Sequence, residues 1–133
     1  MRTLIVEDDF IARRILKDIL SPYGDCDIAI DGDEAIQAFR LAHEDNKPYD
    51  LICMDIMMPE IDGQEALRRI REIEKDTGIR PSGEVKVIMT TALSDPKNVV
   101  AAFYKGGATS YIVKPINKQK LLEEVRNLGL IGG

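Results

Sequence analysis

Apolar residues along this chain fall into two alternating patterns, short unbroken runs and longer stretches at helical spacing. The short runs cover residues 3–6, 26–30, 51–55, 85–90 and 110–113. Apolar runs of this length without polar alternation predict strands covered on both faces, as in a parallel α/β sheet. After the first run, Ile11, Ile15 and Ile19 with Ala12, Leu16 and Leu20 form a helical stripe, with Asp9 as N-cap and Gly24 as stop. After the second, Ala35, Ile36, Phe39 and Ala42 mark a helix that Asn46-Lys47-Pro48 ends. The third is followed by a loop over 57–63 and a helix with Ala66, Leu67, Ile70 and Ile73 inward. Residues 75–83 read as a polar surface loop. After the fourth run, Ser94-Asp95-Pro96 starts a helix with Val99, Val100 and Phe103 inward, closed by Gly106-Gly107. After the fifth, Asn117 caps a last helix with Leu121, Leu122, Val125 and Leu128 inward.

Five strands alternating with five helices predict a doubly wound (βα)5 parallel sheet, because crossovers between parallel strands are right-handed and place helices on both faces, giving three layers. The 133 residues suffice for one domain, read as 1–129 with a short tail over 130–133. No apolar run reaches the length of a membrane span, and the short N-terminal apolar run meets Glu7-Asp8-Asp9 at once, unlike a signal peptide. A cytoplasmic location follows by default. The net charge of −5 disfavours direct binding of nucleic acid and favours cationic partners. Cys26 and Cys53 lie in strand-like runs and read as buried reduced thiols.

Several chemistries are disfavoured by what the motifs lack. No Gly-x-Gly-x-x-Gly follows the first strand and no Gly-Lys-Ser/Thr occurs, which speaks against dinucleotide and P-loop sites. His43, the only histidine, falls on a helix as a solvated residue and offers no triad unless it leaves that helix. What remains is a set of polar groups at strand ends, where open α/β sheets bind ligands. Glu7 and Asp8 end the first strand, Asp55 the third, Thr90 and Thr91 the fourth, and Lys114 the fifth, directly before Pro115. Three carboxylates on neighbouring strands repel unless a cation sits among them, and a hard divalent ion such as Mg2+, which takes few carboxylates and keeps waters, suits an open site. A divalent ion, an ammonium and a hydroxyl around one carboxylate are what an incoming phosphoryl group requires.

The motifs Val6-Glu7-Asp8, Met54-Asp55-Ile56-Met57-Met58-Pro59 with Asp62-Gly63, Met89-Thr90-Thr91-Ala92 and Tyr111-Ile112-Val113-Lys114-Pro115 stand in order, each at a strand end. In these the chain resembles the response-regulator receiver domains of two-component signalling, chemotaxis regulators included, over nearly its whole length. The resemblance implies a flavodoxin-like strand order, 2-1-3-4-5. It implies that Asp55 accepts a phosphoryl group from a histidine kinase or phosphotransfer protein. Asp8 and Asp55 would bind Mg2+ directly with the Met57 backbone carbonyl, and Glu7 through water. Thr91 and Lys114 would contact the phosphoryl oxygens, and the small Ala92 leaves their approach open. Tyr111 would be the aromatic switch that turns inward when Thr91 moves. Output would pass to a downstream protein partner through the face of the fourth helix, fifth strand and fifth helix, where Val99, Tyr104, Lys105 and Lys118 lie; a homodimer is compatible with this. The residues flanking the line of water attack, two past the phosphoacceptor and two past the threonine, are Met57 and Leu93, and their apolar bulk implies slow self-dephosphorylation.

Under that strand order the two cysteines stand two strand spacings apart, about 9 to 10 Å. A disulfide needs Cα atoms within about 7 Å, so none is expected. The chain departs from the family pattern in Glu rather than Asp at position 7 and in a longer stretch before the fourth strand. An aspartyl-phosphate hydrolase of the haloacid-dehalogenase type would want a second Asp where Met57 stands. A flavodoxin-like module without phosphorylation would not need Glu7 and Lys114 beside Asp55.

Overall fold

A computed structural model of the chain describes residues 1–58, 60–92 and 107–132. The strands are β1 (Thr3–Val6), β2 (Cys26–Ala29), β3 (Leu51–Asp55), β4 (Lys86–Thr91) and β5 (Ser110–Val113). They form one parallel sheet in the order β2-β1-β3-β4-β5, as the resemblance implied. The described helices are α1 (Phe10–Leu20), α2 (Gly32–Glu44), α3 (Gly63–Asp76) and α4 (Lys118–Asn127). The expected helix after β4, with Val99, Val100, Phe103, Tyr104 and Lys105, lies outside the described residues, as does Leu93.

Alternate strand residues point to opposite faces and each face has its own helices. On one side Leu4, Val6, Ile52, Met54, Val87 and Met89 pack against Phe39 of α2 and Leu67 and Ile70 of α3. On the other, Ile5, Cys53, Ile88 and Ile112 pack against Leu16, Ile19 and Leu20 of α1 and Leu121, Leu122 and Val125 of α4. Truncating the fully buried Phe39 to alanine would cost about 3–5 kcal/mol through the cavity left behind. Four helices start on side-chain caps at the expected kind of residue: Asp9, Asp31, Asp62 and Asn117 each accept a backbone N–H of the first turn.

Several expectations are corrected. Ile11 and Ile15 of the predicted α1 stripe are exposed, and only Leu16, Ile19 and Leu20 of that helix are buried. The helix ends at Leu20 and a 3-10 turn, Ser21–Tyr23, precedes Gly24. Gly24 is needed there for another reason: its φ is +150°, and a Cβ would lie 1.7 Å from the Met1 carbonyl oxygen. β2 stops one residue early, at Ala29, and β4 runs from Lys86 through Thr91. α3 extends to Asp76, and a second 3-10 turn, Pro81–Gly83, occupies the segment expected to be irregular. Cys53 is buried but Cys26 only half-buried, and both are free thiols. His43 stays in α2, half-buried, with its ring edge-on to Phe39 at 4.6 Å between centroids.

Candidate functional site

Register brings the predicted residues to one end of the sheet. Val6 pairs with Met54 and Asp55 with Thr90, so Glu7 and Asp55 leave adjacent strands side by side. Thr91 pairs with Val113, and Lys114, one residue on, donates its backbone N–H to the Thr91 carbonyl at 2.7 Å. The loop after Asp55 folds back on the strand: Ile56 N–H donates to the Thr90 carbonyl (3.0 Å) and Gly63 N–H to the Ile56 carbonyl (2.8 Å). That return passes so close that a Cβ at Gly63 would lie 2.3 Å from the Asp55 carbonyl oxygen, which explains the glycine of the second motif.

Lys114 Nζ lies between two buried carboxylates, 2.7 Å from Glu7 Oε1 and 3.2 Å from Asp55 Oδ2. Glu7 Oε2 accepts the Asp9 backbone N–H at 3.2 Å and Asp55 Oδ1 accepts that of Met57 at 3.1 Å. Asp8 is exposed, and one oxygen from each of Glu7, Asp8 and Asp55 falls within 4.8 Å of the others. Thr91 is buried beside them, the Met57 side chain is 61% exposed at the rim, Ala92 is exposed, and Tyr111 on β5 is 43% exposed, facing outward. Asp55, Glu7, Asp8, Thr91, Lys114 and Met57 are thus assembled at one end, with Tyr111 on the strand that delivers Lys114. Arg13, which the sequence did not single out, donates to the Glu7 carbonyl at 3.3 Å and stacks over Phe10 at 5.5 Å. Its place one turn after the Asp9 cap was the available signal.

The electrostatics show a deficit of positive charge. Burial pushes the Glu7 carboxyl up to about 7; the Lys114 hydrogen bond opposes this, and the Asp55 charge adds to it. Burial alone would lower the Lys114 ammonium, but its hydrogen bond to Glu7 and the charges of Asp55 and Glu7 outweigh that and raise it. One ammonium therefore serves two buried carboxylates, with the exposed Asp8 beside them. An all-oxygen donor set with excess negative charge fits a hard divalent cation.

The chain is thus a doubly wound α/β domain with an acid-lined, lysine-bridged carboxyl end. The model of the response regulator receiver domain matches residues 3–126, and the chain belongs to that family. It is 33% identical over 124 residues to the chemotaxis protein CheY of Bacillus subtilis, covering 93% of each chain. It is 37% identical over 127 residues to hybrid signal transduction histidine kinase I of Dictyostelium discoideum, covering 95% of this chain and 7% of the kinase. The chain spans less than half the length of several such curated relatives. Among solved structures, a chain in the co-crystal structure of the Saccharomyces cerevisiae phosphotransfer protein Ypd1 with the receiver domain of its response regulator Ssk1 superposes with a TM-score of 0.83. That match has 29% identity and covers 97% of this chain and 88% of the other. The protein is a receiver domain of two-component signalling rather than a haloacid-dehalogenase-type hydrolase. Among the described residues, no helix is long and apolar enough to cross a membrane.

Proposed function

We propose that Asp55 accepts a phosphoryl group from the phosphohistidine of a histidine kinase or phosphotransfer protein and that the modification switches binding of a downstream protein. The observation that carries this is the Lys114 ammonium held against both Asp55 and Glu7, beside Asp8 and the buried Thr91. As the phosphorus–oxygen bond to Asp55 forms, the phosphorus–nitrogen bond of the donor breaks and the imidazole leaves. Lys114 and Thr91 bind the phosphoryl oxygens, and Glu7 holds the Lys114 ammonium in place. Asp8 and Asp55 would hold Mg2+ directly with the Met57 carbonyl, and Glu7 through water; the ion supplies charge neutralisation that the single ammonium does not.

A donor has to cover the rim of the site to reach Asp55. Phe10 and Ile11, which follow Asp8 and Asp9, and Ile15 one turn later, present the exposed apolar surface such a protein needs. Phosphorylation draws Thr91 inward and Tyr111 follows, a population shift between two packings biased by phosphoryl contacts. The outward Tyr111 suits the unphosphorylated packing. The surface so altered includes β5 and exposed Lys118 of α4. The chain catalyses its own phosphorylation from small donors and loses phosphate slowly, since Met57 and Leu93 orient no water. The test is Mg2+-dependent, acid-labile uptake of one phosphate from acetyl phosphate, absent in Asp55→Asn. Full uptake by that variant would overturn the assignment.

A further inference from the structure

The segment between α3 and β4 has no part in the proposed phosphoryl chemistry, yet it builds a cleft outside the site. It lies at the amino end of the sheet, away from Asp55, where helix-to-strand connections gather. α3 ends at Asp76, Gly78 turns the chain with φ +79°, and the Pro81–Gly83 turn returns it to β4. The cleft this leaves has a volume of about 690 Å3 and is lined by Arg68, Arg71, Lys75, Ile79, Arg80 and Pro81, among others.

Its walls are fixed by specific bonds. Glu74, buried at 2% exposure, accepts the Val85 backbone N–H on Oε2 at 2.7 Å and the Arg71 guanidinium on Oε1 at 2.6 Å. Ile79 N–H donates to the Glu74 carbonyl at 2.9 Å, and Gly83 N–H to the Arg80 carbonyl at 2.8 Å. Arg71 reaches on to the Gly107 carbonyl at 2.9 Å. A cleft braced this way needs little ordering when something enters it.

Its charge is opposite to that of the whole chain, which carries −5. Four of the lining residues are cationic, against Glu72 and Glu84. Arg68 is taken up by Glu65 and Glu72, and Arg71 by Glu74 and Glu84. Lys75 and Arg80, both exposed, have no ion pair among the described residues, so their charges are available to a ligand. Half-buried Ile79 and exposed Pro81 line the same cleft. We propose that this cleft docks an acidic segment of a partner protein, with carboxylates on Lys75 and Arg80 and an apolar side chain against Ile79 and Pro81. The volume exceeds what one small anion fills, and an apolar floor rewards a peptide side chain rather than a phosphate. A nucleic-acid backbone would meet Glu72 and Glu84 in the cleft and a net negative protein around it.

The probe is a short fluorescein-labelled peptide of glutamates interrupted by leucines, read by anisotropy against the full chain. Controls carry lysines for the glutamates or serines for the leucines; a duplex oligonucleotide and vesicles of anionic lipid are further comparisons. The expected result is salt-sensitive binding of the glutamate–leucine peptide that exceeds every control. Lys75→Glu with Arg80→Glu should weaken it roughly tenfold or more, as loss of two complementary charges does. Phosphate uptake from acetyl phosphate should be unchanged in that variant. Amide shifts in the wild type should centre on residues 75–84, which needs no variant to fold. Absence of binding, equal binding of the lysine peptide, tighter binding of oligonucleotide or vesicles, an unaffected double variant, or shifts centred elsewhere would each overturn the proposal.

Discussion

The two ends of the sheet handle charge in opposite ways. At the amino end, the Arg2 guanidinium donates to Asp27 Oδ2 at 2.9 Å and to the Lys47 carbonyl, and lies 4.6 Å over the Tyr49 ring. Asp27 also takes the Tyr49 hydroxyl at 2.7 Å, while Asp50 takes the Arg2 backbone N–H at 2.8 Å. Burial, then the bond to Asp27, holds the Tyr49 hydroxyl well above its ordinary pKa, so it stays a neutral donor. At the carboxyl end, two buried carboxylates share one ammonium beside a third, Asp8, and the carboxyl of Glu7 is displaced to about 7. A matched network ties β1, β2 and the α2–β3 connection together. An unmatched one leaves a deficit of positive charge that a divalent cation would relieve, and an incoming phosphoryl group would add to the need for that cation.

The contrast is broken most severely by Asp55→Asn, which should abolish phosphate uptake while leaving Tm unchanged or slightly higher, since one of three neighbouring negative charges is gone. Thermal unfolding beside a labelled-phosphate assay checks both halves. Next comes the cation. By calorimetric titration with Mg2+, Asp8→Asn should weaken binding about 100-fold and Glu7→Gln about tenfold, because a direct ligand loses more than one acting through water. The reverse order would mean their roles are exchanged. Met57→Asn combined with Leu93→Glu should speed loss of phosphate roughly tenfold after donor removal, about 1.4 kcal/mol of barrier. Slower decay in the double variant would show that these positions do not govern the water. The smallest effect belongs to the matched end: Arg2→Ala removes partly exposed contacts worth about 1 kcal/mol, lowering Tm by about 4 °C. Its phosphate uptake should equal that of the wild type.

Much of this was legible in the residues. Unbroken apolar runs located all five strands, and Asp9 and Asn117 announced the starts of the first and last helices. Polar groups at strand ends foretold the cluster, because a parallel sheet gathers its carboxyl ends in one place. Periodicity could not say how wide the covered stripe of α1 is. Ile11 and Ile15 fit the helical spacing, but α1 packs near the edge strand β2, whose Ile28 is itself exposed, and the sheet does not extend far enough to cover them. Glu74 was also hidden: a glutamate among Arg71, Glu72 and Lys75 looks like part of a solvated face, and only the return of the chain to Val85 makes it a buried acceptor. The same return turned an apparent surface loop into one wall of a cleft.

The most direct test of the charge-deficient end as a phosphoacceptor is chemical mapping. Protein phosphorylated by acetyl phosphate with Mg2+ is reduced with borohydride, which converts an aspartyl phosphate to homoserine, and its peptides are sequenced by mass spectrometry. The expected result is homoserine at position 55 alone, absent without Mg2+. Homoserine at Asp8 or any other aspartate, with Asp55 intact, would contradict the assignment.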